Sequence, residues 1–443
     1  MEKSEVLLAP GTGGYALVDV PRSLTTRVVL ICWLGIFFEG YDLAVYGAVL
    51  PAILTDSSFP LTAVQAGAIG SYAVFGMCLG AIFLGSSADY LGRKKMLIAS
   101  MLFYAVGMVW SALAPNTAML GASRFVAGLG LGGVLPTTSA LTVEYSHPAR
   151  RSLTAALMYT GYPLGGAAAA CLALWLLPVI GWRGLFWLGG LAFLLIPFAV
   201  GWMPESLRFL LDNERKEAAR ALILKYRLQV DRELAPLKPE PRSELSKRSL
   251  SVIFSSGRWA AALVLFWLAY FMDLLMTYGL NTWLPQMMHQ AGYSLGSSLA
   301  FMLILNVSAA AGGLIEGLAA DRLGSKWVSV ASFALAAVAI ILMVVKWPVA
   351  IVYVLAALAG IGVIGTAILV NAYITKYFPV NARGTAFGLA LGFGRAGAIG
   401  GPLIGGLILA WHLPVTWNFV AFSIAGLIGM FVMALMPRSE VQV

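Results

Sequence analysis

Charge and cysteine are both scarce in this 443-residue sequence. Asp, Glu, Lys and Arg make up 11% of the residues and hydrophobic residues make up 60%, whereas a soluble domain has roughly a quarter of its residues charged. This shortage excludes an ordinary soluble enzyme, a disordered chain and a nucleic-acid-binding protein. The three cysteines, Cys32, Cys78 and Cys171, lie far apart in apolar runs. Such spacing predicts neither a disulfide framework nor a metal site.

Hydrophobic segments as long as a membrane is thick are abundant. A spanning helix needs about 20 apolar residues, because its backbone polar groups must be satisfied within the helix. Twelve such segments are predicted, near residues 28–51, 62–87, 96–114, 118–142, 153–178, 184–203, 259–284, 295–319, 327–346, 349–374, 385–409 and 415–436. The sequence therefore predicts an all-α integral membrane protein with twelve transmembrane helices.

The basic residues are distributed unevenly between the two ends of these helices. With an even number of helices, both termini lie on one side, and 25 of the 29 Lys and Arg residues fall there. Only Arg183 and Lys346 fall on the other side, while Arg124 and Arg395 lie inside predicted helices. Cytoplasmic loops are enriched in Lys and Arg, so we expect a multi-pass protein of the cell membrane with both termini in the cytoplasm. This asymmetry accounts for the net charge of +9 without a nucleic-acid partner.

A single long polar stretch divides the chain. Residues 204–256 contain 11 Lys or Arg and 8 Asp or Glu. They are predicted to form a cytoplasmic loop between six-helix bundles at 27–203 and 257–437, with cytoplasmic tails at 1–26 and 438–443. Within the loop, we expect Asp212–Tyr226 to form an amphipathic helix with Asp212 as its N-cap.

The two halves repeat each other with an offset of 232 residues. Gly85-Ser-Ser-Ala-Asp89-Tyr-Leu-Gly92-Arg93 reappears as Gly317-Leu-Ala-Ala-Asp321-Arg-Leu-Gly324-Ser325. The same offset relates Tyr145 to Tyr377 and Arg151 to Arg383. Two parallel six-helix repeats are typical of transporters whose halves rock around a substrate site near the membrane midplane.

The first copy of this motif, which continues into Lys94 and Lys95, resembles the signature loop of the major facilitator superfamily. With twelve helices and a long central loop, the resemblance covers the whole chain. It implies a fold of two pseudo-symmetric six-helix bundles and a transporter rather than an enzyme. No catalytic triad, phosphate-binding loop or metal-ligand cluster is found in the sequence, which also argues against ATP-driven transport.

Further motifs are similar to one branch of the superfamily, the aromatic acid:proton symporters. Glu39-Gly40-Tyr41-Asp42 looks like their Asp-Gly-x-Asp motif, with Glu39 in place of the usual Asp. The other matching segments are Arg124-x-x-x-Gly128-x-Gly130-x-Gly132-Gly133, Glu144-Tyr145 and Gly392-x-Gly394-Arg395-x-Gly397. The resemblance implies import of a benzoate-like or hydroxybenzoate-like anion with protons, by alternating access. We expect protons to be the coupling ion, no other cofactor, and a protein that functions as a monomer.

An ionised side chain inside a membrane helix costs free energy, so each such residue is expected to have a partner or a function. Glu39 and Asp42 are three residues apart, so they share one face of a helix, as a proton-carrying pair would. Arg124 needs an anion, which is either one of these acids or a substrate carboxylate. Arg395 also needs one, and its candidates are a substrate anion and Asp273. The residues predicted to couple protons or bind substrate are Asp42, Glu39, Arg124, Arg395 and Glu144.

Two further groups of residues are predicted from their position and chemistry. The repeated loop motif is expected to form a gate at the cytoplasmic side, with Gly85, Asp89, Gly92, Arg93, Asp321 and Arg383. Aromatic and amide side chains suit an aromatic ring or its hydroxyl groups, and with one acid they form the predicted substrate cavity: Tyr41, Tyr46, Asp273, Tyr278, Asn281, Asn306 and Asn371.

Three alternatives remain open from the sequence. The first is a drug/proton antiporter, since Gly397-x-x-x-Gly401-Pro402 resembles an antiporter pattern, although that pattern belongs in the fifth helix. The second is a transporter of another organic anion or a sugar-like solute. The third is a membrane sensor that does not transport. The stretch at 204–256, however, is too short to form a signalling domain.

Overall fold

The computed structural model describes residues 16–231, 250–379 and 382–437. Long helices, which we number by their order across the membrane, dominate it. They are α1 Arg22–Thr55, α2 Ala63–Leu91, α3 Arg93–Leu113, α4 Thr117–Glu144, α5 at 151–180, α6 at 182–202, α7 Gly257–Gln290, α8 Leu295–Leu323, α9 Ser325–Leu342, α10 Val349–Tyr377, α11 Arg383–Ala410 and α12 Thr416–Leu435. The all-α fold predicted from the sequence is confirmed.

The helices α5 and α6 are two crossings within one continuous stretch. In the described residues, eleven helices are apolar and long enough to span a membrane, and the one at Leu153–Trp202 has 50 residues. A straight helix of that length would measure about 75 Å, more than twice the thickness of about 30 Å of the hydrocarbon core. Gly181, with φ of 65° and ψ of −179°, breaks the helical conformation. The stretch therefore crosses the membrane twice, which gives twelve crossings in the part of the chain that the structure describes.

The break at Gly181 is tied to the far end of α1. The indole of Trp182 donates to Oδ2 of Asp56 at 3.0 Å, and Nη1 of Arg183 lies 3.9 Å from the same oxygen. The hydroxyl of Ser58 donates to Oδ1 at 2.6 Å. These hydrogen bonds, with that of Ser58 the largest cause, lower the pKa of Asp56 below its ordinary value. Asp56 therefore clamps α1 to α6.

The N-terminal segment differs from the predicted tail over 1–26. Residues Ala16–Asp19 form strand β1, which pairs antiparallel with β2 (Gln229–Asp231), so that Ala16 lies opposite Asp231. Helix α1 then begins at Arg22, directly after Pro21, earlier than the hydrophobic run suggests. Proline fixes its own φ and is compatible with a helix start. The predicted tails at 1–15 and 438–443 lie outside the described residues.

The helix expected at Asp212–Tyr226 begins later, at Lys216, and a separate short helix precedes it. Leu207–Asp212 is the first helix, capped by the hydroxyl of Ser206, which accepts from the backbone of Phe209. Lys216–Tyr226 is the second, and its N-cap position is Arg215. The prediction that Asp212 caps this helix is wrong, because Asp212 ends the preceding one. The sequence alone does not show whether Asp212 ends one helix or begins the next.

The two halves contact each other through matched pairs of helices. Helix α1 packs on α7, α2 on α11, and α5 on α8. The 232-residue offset relates α2 to α8 and α5 to α11, so the last two contacts are equivalent in the internal repeat. We call the end of the bundle where α1 begins and α12 ends the terminal end, and the opposite end the distal end. The interface between the halves therefore runs along six inner helices.

The halves approach most closely towards the distal end. A Cβ on Gly47 of α1 would lie 1.9 Å from the backbone oxygen of Asn281 on α7. A Cβ on Gly67 of α2 would lie 2.6 Å from the oxygen of Pro402 on α11, and the hydroxyl of Ser71 donates to Ile399 at 2.7 Å. Only glycine permits such backbone contact. The distal end is sealed.

Helix α11 is more open towards the terminal end. Gly384, Gly388 and Gly392 follow one another at four-residue spacing, and nothing lies within 4 Å of the position that a Cβ on each would take. Arg395, three residues after Gly392, shares their face of the helix. The face of α11 that carries Arg395, which we call its open face, is therefore loosely packed between the terminal end and this arginine.

Candidate functional site

A buried ion pair joins α1 to α4. Both carboxylate oxygens of Asp42 accept hydrogen bonds from the guanidinium of Arg124, one of them at 2.8 Å from Nη2. Asp42 is 0% and Arg124 1% exposed. The rings of Tyr46 and Phe186 lie 5.6 Å and 5.7 Å from the guanidinium carbon. Of the two partners expected for Arg124, an acid and a substrate anion, the structure shows the acid.

The glycines of α4 permit this arrangement. A Cβ on Gly128 would lie 2.0 Å from the backbone oxygen of Ala73, and one on Gly132 would lie 2.1 Å from that of Met77. Helix α4 therefore packs against the backbone of α2. This contact fixes the position from which Arg124, one turn before Gly128, reaches Asp42.

The second arginine, Arg395 of α11, lies at the interface between the halves. Its Nη1 donates to the hydroxyl of Tyr278 on α7 at 3.3 Å, which is a long hydrogen bond. It also lies within electrostatic range of Glu39 on α1. No ion pair between Arg395 and Asp273 is found in the described part of the chain. The cation of the second half thus faces the acid of the first half.

Glu39 is buried close to this arginine. It is 4% exposed, and its Oε2 has no hydrogen-bond partner among the described residues. Asp42 follows on the same face of α1, and the two carboxyl groups lie within electrostatic range of each other. The predicted pair on one helix face therefore differs in its contacts: Asp42 has a close arginine, and Glu39 has a more distant one.

A narrow cavity lies between the halves beside Arg124. Its centre has room for about one water molecule. The lining residues are Leu43, Tyr46, Gly70, Val74, Arg124, Tyr278, Asn281 and Thr282. Three residues predicted for the substrate cavity, Tyr46, Tyr278 and Asn281, thus meet at one place. An aromatic ring would enter this site only after its walls separate.

The other predicted cavity residues lie elsewhere. The hydroxyl of Tyr41 donates to the backbone oxygen of Leu185 at 2.8 Å, which joins α1 to α6. Asn306 donates to Met302 at 3.0 Å and packs against Gly166 of α5. Asn371 lies on α10, and Asp273 lies on α7 without lining this cavity. We assign Tyr41 and Asn306 to helix packing in this conformation.

A polar network occupies the terminal end of the first half. Nη1 of Arg93 donates to Oε2 of Glu144 at 2.8 Å. Nη2 of the same arginine lies 3.9 Å from Oδ1 of Asp89. Glu144 also accepts from the hydroxyl of Ser206 at 2.6 Å and from the backbone of Arg208 at 2.9 Å. Glu144 is 20 residues beyond Arg124 on α4, about 30 Å along the helix. The structure therefore groups Glu144 with the loop motif and not with Arg124.

Two glycines of the loop motif fit this network closely. Gly92 has φ of 109°, and a Cβ there would lie 2.4 Å from Oε2 of Glu205. Glu205 in turn accepts from the backbone of Lys94 at 3.0 Å. A Cβ on Gly85 would lie 3.0 Å from the side chain of Pro136. The loop is thus held to the segment that follows α6.

The copy of the motif in the second half is less enclosed. Asp321 is exposed, and Gly324 repeats the positive φ at 86°. Arg383 donates from Nε to the oxygen of Phe378 at 2.8 Å, within its own half. In this conformation the ion pairs of Arg93 given above also stay within one half. The expected gate between the halves remains a prediction.

Several residues of the site were not predicted from the sequence. Thr282 follows Tyr278 by four residues, and Val74 follows Gly70 by four, so helical spacing could have found both once one neighbour was known. Tyr162 of α5 and Cys78 of α2, which lie in electrostatic range of Arg395, have no such signal. Among the described residues, no group of three His, Cys, Asp or Glu side chains could hold a metal ion.

Comparison with known proteins gives a consistent result. A model of the Major Facilitator Superfamily matches residues 32–318 and 266–442. The chain is 38% identical over 415 residues to the gentisate transporter of Corynebacterium glutamicum, covering 93% of this chain and 87% of that protein. It is 35% identical over 412 residues to the benzoate transport protein of Acinetobacter baylyi, covering 91% and 87%.

Two further likenesses agree with these. The 4-hydroxybenzoate transporter PcaK of Pseudomonas aeruginosa is 32% identical over 405 residues, which cover 89% of this chain and 87% of that protein. Among solved structures, a partially occluded inward-open conformation of the xylose transporter XylE from E. coli has a TM-score of 0.73. That comparison covers 95% of this chain and 99% of the other at 16% identity, so it supports the fold alone.

Proposed function

Because the chain belongs to the major facilitator superfamily, and within it to the aromatic acid transporters, we propose that it imports an aromatic carboxylate together with protons. As a member of this family it is a membrane transporter and not an enzyme. The relatives named above are transporters of gentisate, benzoate and 4-hydroxybenzoate, which share a ring and a carboxylate. A benzoate-like or hydroxybenzoate-like monoanion is therefore the proposed substrate.

The observation that carries this proposal is the environment of Arg395. A guanidinium in the membrane interior needs an anion, yet the hydrogen bond it makes to Tyr278 is long, at 3.3 Å. A carboxylate accepts two parallel hydrogen bonds from a guanidinium. The substrate carboxylate is the proposed partner, and Glu39 competes with it for the same cation.

The neighbouring side chains suit the rest of such a molecule. Tyr46 and Tyr278 offer ring surfaces, and Leu43 and Val74 offer apolar contacts. Asn281 and Thr282 present polar groups to the same cavity, which suit a ring hydroxyl. The ring is proposed to enter this cavity from the open face of α11 as its walls move apart.

Proton coupling is proposed to involve Asp42 and Glu39. Protonating Asp42 removes the negative charge that holds Arg124, so the ion pair between α1 and α4 weakens. Protonating Glu39 removes the acid that competes for Arg395, so substrate binding becomes more favourable. In this scheme protonation prepares the site for an anion, which links the proton to the substrate.

The proposed orientation follows from the distribution of charge. Counted on the sequence, 25 of the 29 Lys and Arg residues fall in the segments predicted for the side of the two termini. The terminal end is therefore proposed to face the cytoplasm, with the protein in the cell membrane. The sealed distal end then faces outwards, and this conformation opens inwards. Rocking of the two halves gives alternating access, with the loop motif and its copy as the gate. Since one chain holds both halves, a monomer suffices.

A transport panel tests this function. The purified protein in proteoliposomes is given labelled benzoate, 4-hydroxybenzoate, gentisate, xylose and a cationic drug, with the interior more alkaline than the exterior. We expect accumulation of at least one aromatic acid and none of the sugar. Accumulation of xylose, or of a cation, with no aromatic acid would contradict the proposal and favour the alternatives raised by the sequence.

A further inference from the structure

A second buried acid lies in the other half of the molecule, apart from the pair on α1. Asp273 of α7 is 0% exposed, and neither of its carboxylate oxygens has a hydrogen-bond or ion-pair partner in the described residues. The 232-residue repeat makes it the counterpart of position 41, between Glu39 and Asp42. The two halves thus hold acids at the same depth.

Glu316 of α8 is the neighbour of Asp273. It is 5% exposed and lies within electrostatic range of Asp273. Its Oε1 accepts from the hydroxyl of Ser332 on α9, while Oε2 has no partner among the described residues. A Cβ on Gly365 of α10 would lie 1.7 Å from Oε2. The carboxyl group therefore occupies a space that only glycine leaves open.

A hydroxyl without a partner in the described residues lies near Asp273. Tyr270 precedes Asp273 by three residues, so both lie on one face of α7. Its ring is 1% exposed, its hydroxyl has no partner in the described residues, and it lies within electrostatic range of Asp273. Tyr162 of α5, in the other half, is also within range of Asp273. The cluster therefore borders the interface that opens during transport.

The charges around the cluster do not balance the two acids. Helix α11 contributes Arg395, which faces Tyr278 and Glu39, and α12 has no charged residue within 416–435. Helix α1 contributes the acids Glu39 and Asp42, and α10 has its charge, Lys376, in the last turn beside Tyr373 and Tyr377. Helix α9 contributes Ser332 at this level and Lys326 at its start. No arginine or lysine contacts either acid in the described residues.

An ionised carboxylate without donors is strongly disfavoured away from water, and such a group takes up a proton instead. Two such carboxyl groups near each other disfavour double ionisation further. From this geometry we propose that Asp273 and Glu316 form a second proton-binding site, in the half that does not contain Asp42. The inference rests on the proposed function, since it adds a second proton to each imported monoanion.

The proposal changes the charge that moves in each cycle. One monoanion with one proton carries no net charge, whereas one monoanion with two protons carries one positive charge inwards. Accumulation then depends on the membrane potential, by about tenfold for each ~60 mV. The pair on α1 supplies one proton and the Asp273–Glu316 cluster supplies the other.

The test measures accumulation of labelled benzoate in proteoliposomes at a fixed pH gradient, with and without a potassium diffusion potential of about 60 mV, negative inside. The wild-type protein is expected to accumulate about tenfold more benzoate with the potential. Asp273→Asn and Glu316→Gln are expected to lose this increase while still accumulating benzoate. Asp212→Asn, an exposed acid paired with Arg208, is the control and should behave as wild type.

The outcomes separate this inference from the proposed function. Potential-independent accumulation by the wild type, or an unchanged tenfold increase in both variants, would overturn the second proton site. Accumulation that follows a sodium gradient would overturn it in favour of a cation site. Absence of benzoate transport in every condition would instead contradict the proposed function.

A second measurement does not depend on transport. Infrared spectra of the wild type in membranes at neutral pH are expected to contain the absorption of protonated carboxyl groups, and the part contributed by this cluster is expected to be missing from the Asp273→Asn/Glu316→Gln double variant. Because the amides resemble protonated acids in size and hydrogen bonding, we expect the variant to reach the membrane normally. An identical carboxyl signal in the double variant would overturn the proposal.

Discussion

Asp42 and Arg124 share two hydrogen bonds across the interface of α1 and α4, with both side chains excluded from solvent. An arginine held in this way carries a charge that the membrane interior tolerates only with its partner. Any step that neutralises Asp42 therefore acts on Arg124 as well. This relationship makes the pair a means of converting protonation into movement between helices.

Replacing Asp42 with Asn separates binding from coupling. The amide keeps an oxygen for Arg124 but mimics a permanently protonated acid, so the helices no longer wait for a proton before they move and a proton at the Asp273–Glu316 cluster is not tied to substrate movement. We therefore expect exchange of substrate across the membrane and no uphill accumulation at any pH. Expression, counterflow exchange and uphill uptake are measured on one preparation. Asp42→Ala, which removes the acceptor, should cost several kcal/mol and reduce membrane abundance, and neutralising Arg124 as well should partly restore it. Normal uphill uptake by Asp42→Asn would transfer the coupling role to Glu39.

Replacing Arg395 with Lys tests carboxylate binding. An ammonium cannot form the two parallel hydrogen bonds of a guanidinium, and losing a charged hydrogen bond costs about 1.5–3 kcal/mol. We therefore expect affinity for benzoate to fall by roughly 10- to 100-fold, measured by equilibrium binding. Arg208→Lys, at an exposed site, is the control. Wild-type affinity in Arg395→Lys would assign this arginine to structure only.

Arg124→Lys is expected to fail for a different reason. The lysine would retain one contact with Asp42 and lose the second, so uphill uptake should fall while affinity for benzoate changes less than in Arg395→Lys. Comparing the two lysine variants in the same binding and uptake assays separates the coupling arginine from the substrate arginine. Equal losses of affinity in both would show that Arg124 also binds the substrate.

Replacing Gly47 with Ala should loosen the distal seal. The added Cβ would meet the backbone oxygen of Asn281 at 1.9 Å, so the halves must separate there and conformations open at the distal end become more populated. Spin labels attached at Ser57 and Gln290, in a variant without the native cysteines, give the distance between the distal ends of α1 and α7 by electron paramagnetic resonance. Gly400→Ala, with nothing within 4 Å of its Cβ position, is the control. An unchanged distance distribution in Gly47→Ala would contradict the seal.

The Asp56 clamp makes a prediction about pH. The pKa of Asp56 is lowered by its hydrogen bonds with Ser58 and Trp182, so its contribution to stability is present above its ordinary pKa of about 4 and is lost as pH falls through the lowered value. We expect Asp56→Asn to lower the unfolding temperature at neutral pH, with a smaller difference from wild type at acidic pH. Asp212→Asn is the control for an exposed acid. A constant difference at all pH values would contradict this explanation.

The sequence predicted the crossings and the acidic residues better than their partners. Twelve segments of sufficient length are visible from hydropathy, and helical spacing put Glu39 and Asp42 on one face. The partner of Arg124 remained open between two acids and a substrate. Inner membrane helices are apolar on several faces, so periodicity does not say which helix each face contacts.

The remaining differences also have physical reasons. Glu144 was grouped with the proton-coupling residues because its motif includes Arg124, but a rise of 1.5 Å per residue separates them by about 30 Å. Helix α1 begins before its hydrophobic run, because Pro21 and the pairing of β1 with β2 fix the chain outside the apolar segment. Pro21 is visible in the sequence, but the pairing of β1 with β2 joins distant parts of the chain and leaves no local pattern.

Accumulation of labelled benzoate in proteoliposomes tests the central claim most directly, with a pH gradient, alkaline inside, as the only energy source. The account predicts uptake above the external concentration that disappears when a protonophore collapses the gradient, while exchange of labelled for unlabelled substrate continues. Benzoate that is still concentrated after the gradient has collapsed would contradict proton coupling.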